Sequence, residues 1–169
     1  ALGDRILLTA GAEYRGNFTI PDKGAGSSYI TIQPTSLAAL PADTRVSPSQ
    51  SASMAKLTTP NTTLLIKFLA DSHHWKFIGL ELTTTGDLYT NGQSMTALVY
   101  NHDAITYGHW PKYITFDRCL IHPYETDPSN FRAVRMGLAL DGENMTVSNC
   151  YIHDFMGWGT PTTIATVTA

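Results

Sequence analysis

Two phrases in this chain, ITFDRCLIH (Ile114 to His122) and MTVSNCYIH (Met145 to His153), repeat in step 31 positions apart. Thr115 matches Thr146, Cys119 matches Cys150, Ile121 matches Ile152 and His122 matches His153. A weaker copy, WKFIGLELT from Trp75 to Thr83, sets Phe77 where the later copies have Phe116 and Val147, and Leu80 where they have the cysteines. Short strands at such an interval cannot bury their apolar side chains alone. Stacking each on its counterpart buries them, pairs the strands in parallel and lays identical residues in ladders. A β-sandwich also supplies many short strands, but does not require in-step identity. The repeat therefore predicts an all-β solenoid with Thr, Cys and Ile ladders.

Composition agrees. At 169 residues the chain is read as a single domain, 1–169. Charged residues make up 15%, below the roughly 25% of ordinary globular domains. Threonine is abundant, and 13 Gly and 9 Pro supply turns. The net charge of -3, with no basic run, argues against nucleic acid or an anionic membrane as partner. No apolar stretch is long enough for a transmembrane helix. No signal peptide is present, and a cleaved one is compatible with a chain that opens on Ala1. Cys119 and Cys150 would lie one strand spacing apart, roughly 4.8 Å. That favours a thiol ladder, with a disulfide as the alternative. The sequons at Asn17, Asn61 and Asn144 are read as incidental in so Thr-rich a chain.

Strands are expected at Arg5 to Thr9, Asn17 to Ile20 and around Ile30 and Ile32, then at 63–70, 74–82, 94–100, 112–121, 135–140, 144–152 and 162–167. Between Thr35 and Asn61 the pattern lapses into a surface excursion. There Ser47-Pro48-Ser49-Gln50 has the form of a capping box, predicting one short helix to about Leu57.

The phrases GDRILLTAGAEYRGNFTIP, HHWKFIGLEL and DRCLIH followed by RMGLALDGENMTVSNCYIHDF resemble the bacterial right-handed parallel β-helix proteins of the pectate-lyase-like superfamily. The resemblance covers most of the chain and implies that fold. It also implies polysaccharide as partner, a secreted or cell-surface location, and either cleavage of lyase or glycosidase type or a non-catalytic role. The closing stretch TTIATVTA has no polar cap. The expectation is that the chain is a piece of a longer solenoid, or that a second copy covers this end in a homo-oligomer.

Three clusters are candidates for chemistry. His122 and His153 end matched strands, with Asp154 beside one and Asp117 on the other strand. Neighbouring imidazoles there can contact a ligand, hold a metal, or simply stack and bond a turn carbonyl. The loop from Asn101 to Tyr113 gathers His102, Asp103, Tyr107, His109, Trp110 and Lys112; a flat ring with polar neighbours suits a sugar, as it also suits ordinary corner packing. The third holds Glu125, Asp127, Arg132 and Arg135, followed by Asp141 and Glu143. A uronate lyase needs calcium or a cation for the sugar carboxylate and a base for the C5 proton. A glycosidase needs two carboxylates. The resemblance thus implies Arg135, His153 and Asp154 as catalytic candidates, Trp110, Lys112, His122 and Arg132 against substrate, and Asp127 and Asp154 for calcium. His73 and His74 are expected on opposite strand faces, so at most one serves a site. Phosphate-loop, nucleophile-elbow and zinc-ligand motifs are absent from the sequence.

Overall fold

The computed structural model describes residues 1–85, 95–100, 108–124 and 134–155. The expected strand at 162–167 lies outside them. The described strands are β1 Arg5–Leu8, β2 Glu13–Arg15, β3 Phe18–Ile20, β4 Ile30–Pro34, β5 Ala55–Thr59, β6 Ile66–Phe68, β7 His73–Ile78, β8 Leu80–Thr84, β9 Met95–Tyr100, β10 Lys112–Asp117, β11 Leu120–Ile121, β12 Val134–Ala139, β13 Glu143–Ser148 and β14 Tyr151–Ile152. They form three sheets with the orders β1-β4-β7-β10-β13 (sheet I), β2-β5-β8-β11-β14 (sheet II) and β3-β6-β9-β12 (sheet III). The described pairs are parallel, and the chain visits sheets I, II and III in rotation.

The pairing register is the one the repeat predicts. Thr115 lies opposite Thr146, Phe116 opposite both Phe77 and Val147, and Ile121 opposite Ile152 and Leu82. Inward side chains then stack. Phe77 and Phe116 lie parallel at 4.9 Å, and Phe68 from sheet III meets both edge-on. Ile66, Leu80, Leu82, Val99, Ile114 and Ile121 complete a buried apolar interior. Cys119 and Cys150 are free thiols, with the Cys119 N–H donating to Cys150 Sγ at 3.3 Å. Burial pushes the Cys119 thiol well up, so it stays protonated.

Several expected strands are really two. The phrase 74–82 breaks at Gly79, 112–121 at Arg118 and 144–152 at Asn149, and all three residues have left-handed backbone (φ +64, +51 and +54). A left-handed residue turns the chain sharply, so each phrase starts on sheet I and ends on sheet II. Around the Arg118 corner, Asp117 accepts bonds from Arg118 Nε (2.8 Å), Ser148 Oγ (3.0 Å) and Asn149 Nδ2 (3.2 Å), linking adjacent corners.

The span 35–61 divides in two. Up to Met54 it is an excursion with two 3-10 helices, Leu37–Ala39 and Pro48–Ser53; beyond it, Ala55–Thr59 is a regular strand of sheet II. The capping box is present, with the Ser47 N–H donating to Gln50 Oε1 at 2.7 Å. The helix ends at Ser53, short of the expected Leu57, because its serines are weak helix formers and Ala55 and Leu57 are claimed by the sheet. Leu40, Val46 and Met54 of the excursion bury Leu120 on the outer face of sheet II.

The corner between sheets II and III explains the first sequon. Asn17 Nδ2 donates to Thr59 Oγ1 (2.8 Å), Leu64 O (3.0 Å) and Thr63 O (3.1 Å), and Asn61 Nδ2 donates back to Asn17 Oδ1 (3.1 Å). Asn17→Ala is expected to cost about 1 kcal/mol and to lower Tm by about 3 °C in a calorimetric scan. An unchanged Tm would mean water replaces these bonds without loss.

Candidate functional site

The site begins with a backbone irregularity on sheet I. His74, Tyr113 and Asn144 occupy one register position on β7, β10 and β13, and each is left-handed, at φ +56, +56 and +54. Side-chain alternation requires extended backbone, and a left-handed residue breaks it. His73 and His74 accordingly come together, with Nδ1 atoms 2.6 Å apart, instead of pointing to opposite faces. The expectation that they cannot pair is corrected by that kink.

Hydrogen-bond polarity places one proton of the pair. His73 Nε2 lies 3.0 Å from the Gly24 carbonyl, which can only accept, so Nε2 carries the proton. One proton lies between the two facing Nδ1 atoms. Desolvation and the neighbouring His73 push the His74 pKa down. His73 Nε2 is also 3.4 Å from Asp22 Oδ1. The contacts tie the glycine-containing segment after Pro21 to the start of β7.

An open cleft of about 420 Å³ lies here, lined by Asp22, Gly24, Asp71, His73, Lys112 and Tyr113 among others. His74 covers one face of Tyr113 (ring centroids 4.7 Å, 21° between planes), yet Tyr113 stays 41% exposed. Tyr29 meets His74 edge-on at 5.1 Å, so three rings form a row across neighbouring strands. Asp71 receives His109 Nδ1 at 2.7 Å, and Lys112 Nζ is 3.5 Å from Glu143. The cleft thus combines an exposed aromatic ring with carboxylates, an amine and imidazoles.

A second polar assembly lies on the outer face of sheet II. Glu81, 3% exposed, receives Lys56 Nζ at 2.8 Å and faces His122 Nε2 at 3.2 Å. Burial pushes the Glu81 carboxyl up, but bonds and charge from His122 and Lys56 outweigh it, leaving it below its ordinary value. His122 Nδ1 lies 2.8 Å from the Pro123 carbonyl. Both ring nitrogens therefore face acceptors, the geometry of an imidazolium beside a carboxylate. His122 stacks on His153 at 5.1 Å, and His153 Nδ1 is 2.6 Å from Asp154 Oδ2. Stacking and a turn carbonyl are the architectural role open to a corner histidine.

The residues singled out from sequence do not converge on one place. Lys112 lines the cleft, and half-buried Trp110 precedes it in the chain. His122, His153 and Asp154 belong to the sheet II assembly, and Arg135 is exposed on β12 of sheet III. Arg132 and Asp127, like Glu125, His102, Asp103 and Tyr107, lie outside the described residues. Asp154 Oδ2 is engaged by His153, and among the described residues no three His, Cys, Asp or Glu side chains are grouped to hold a metal ion. Sequence reasoning missed Asp22, Asp71, His73 and Tyr113 as lining of one cleft. The HH dipeptide beside a matched strand was the available signal. Compared with protein-family models, curated proteins and solved structures, the chain matches none.

Proposed function

We propose that the chain is a right-handed parallel β-helix of pectate-lyase-like type that recognises an extracellular polysaccharide through the cleft beside Tyr113. The rotation through three parallel sheets supports the fold, since a coiled chain is the simplest path that returns each strand beside its counterpart. One observation carries the function: an exposed tyrosine ring in a cleft rimmed by Asp22, Asp71, His73 and Lys112. Pyranose rings bind by laying apolar C–H faces on an aromatic ring while their hydroxyls bond to polar groups at its edge. The reading stops at recognition, because Arg135, His153 and Asp154 are not among the residues that line the cleft.

The test is affinity electrophoresis against acidic and neutral polysaccharides, with new reducing ends measured in parallel. Tyr113→Asn is the variant of choice, since Asn144 holds the same register position at nearly the same left-handed φ of +54. Retardation by at least one polysaccharide is expected, with a roughly tenfold loss of affinity in Tyr113→Asn, about 1.4 kcal/mol. A folded variant that binds as the parent does would remove the cleft from the account.

A non-catalytic assembling segment is the second reading. Ile6 and Leu7 are exposed on β1 at one edge of sheet I, and Val147 on β13 at the other. Self-association at high concentration without sugar binding would favour it.

A further inference from the structure

We infer that the cleft takes a cationic amino sugar, a hexosamine with a free ammonium group, in preference to a uronate; this rests on the sugar-binding reading above. Its charged lining is Asp22, Asp71 and Lys112, together with the two histidines. The one amine is drawn toward Glu143, 3.5 Å away, so its charge is shared with a carboxylate next to the cleft. The imidazoles form a pair whose inner nitrogens share one hydrogen bond, so while it holds the pair carries at most one added proton. Asp71 also faces His109 Nδ1 at 2.7 Å and Asp22 faces His73 Nε2 at 3.4 Å; with these imidazoles neutral, two carboxylates against one shared amine set the sign of the cleft. A uronate carboxylate entering beside them meets like charge, whereas an ammonium meets two opposite charges.

The aromatic row points the same way. Ammonium groups are attracted to the faces of tyrosine rings, and this row already holds one: Lys76 Nζ lies 4.2 Å from the centroid of the Tyr29 ring. Tyr113, at the other end of the row, offers an exposed ring in a cleft that also presents Asp22 and Asp71. A ring with carboxylates beside it is a recurring way to hold a primary ammonium. The volume of about 420 Å³ falls within the range of small-ligand sites, roughly 300–1,000 Å³.

The test is titration calorimetry of the folded chain with three oligosaccharides of equal length: a glucosamine oligomer, its fully N-acetylated form, and an oligogalacturonate, at a pH where the amine is protonated. The glucosamine oligomer is expected to bind at least tenfold tighter than the acetylated form, and the oligogalacturonate weakest. Asp22→Asn with Asp71→Asn should abolish that preference, so that the glucosamine oligomer and its acetylated form bind alike. Asp43→Asn, in the excursion, should leave the preference intact and so separates site charge from net charge. Equal binding of the first two sugars, or tighter binding of the oligogalacturonate, overturns the inference but leaves sugar recognition standing. Loss of preference in Asp43→Asn also overturns it. Binding of none of the three, together with no retardation by any polysaccharide in the electrophoretic panel, ends the sugar-binding reading itself.

Discussion

Phe116→Ala is expected to lower the free energy of unfolding by about 4 kcal/mol. Phe116 is fully buried, stacked on Phe77 at 4.9 Å and met edge-on by Phe68 at 6.5 Å. Its removal takes away transfer free energy and leaves a cavity that neighbours fixed in parallel ladders cannot close, since a shift of one strand is passed to the next. The comparison is Val147→Ala. Val147 occupies the same register position on β13 but is 39% exposed, and its truncation is expected to cost less than about 1 kcal/mol. Denaturant unfolding of both variants checks the pair. Similar losses would mean that inward stacking is not what separates them.

Glu81→Gln is expected to cost about 2 kcal/mol at neutral pH, with a pH dependence that identifies charge as the cause. The wild-type carboxyl is held below its ordinary value of 4.5 by His122 and Lys56 against the opposing effect of burial. A carboxyl with a depressed folded pKa contributes stability above its unfolded value and loses it as pH falls through the folded one. The gap between wild type and variant should therefore be full above about pH 4.5 and close below it. Urea unfolding across that range measures it. A gap independent of pH would assign the loss to something other than the charge of the carboxyl.

The repeat made much of this fold legible. In-step identity between Ile114–His122 and Met145–His153 gives the register between the fourth and fifth passes, and the weaker Trp75–Thr83 copy extends it to the third. The corners were not legible because Gly79, Arg118 and Asn149 share a backbone conformation and not a residue type. Glycine announces a left-handed turn and asparagine permits one, but Arg118 gives no such signal, so phrases that cross two sheets read as single strands. The excursion was visible as a lapse in pattern, while its cover over Leu120 required the three-dimensional path of Leu40, Val46 and Met54.

The cleft was the least legible part, for a related reason. Period-two alternation separates His73 from His74, and one left-handed residue joins them. Asp22, Asp71 and Lys112 come from three different passes of the chain, so no spacing in the sequence connects them. His122 and His153 were easy to find because they repeat. They also stack, which supplies an architectural reason for identity.

The most direct measurement is a two-dimensional NMR titration of the isotopically labelled chain with whichever oligosaccharide it binds. The expected result is a set of shifting resonances confined to Asp22, Gly24, Asp71, His73, His74, Lys112 and Tyr113, with His122, His153 and Asp154 unmoved. Shifts centred on His122, His153 and Asp154 with a silent cleft would contradict the account and move recognition to the outer face of sheet II.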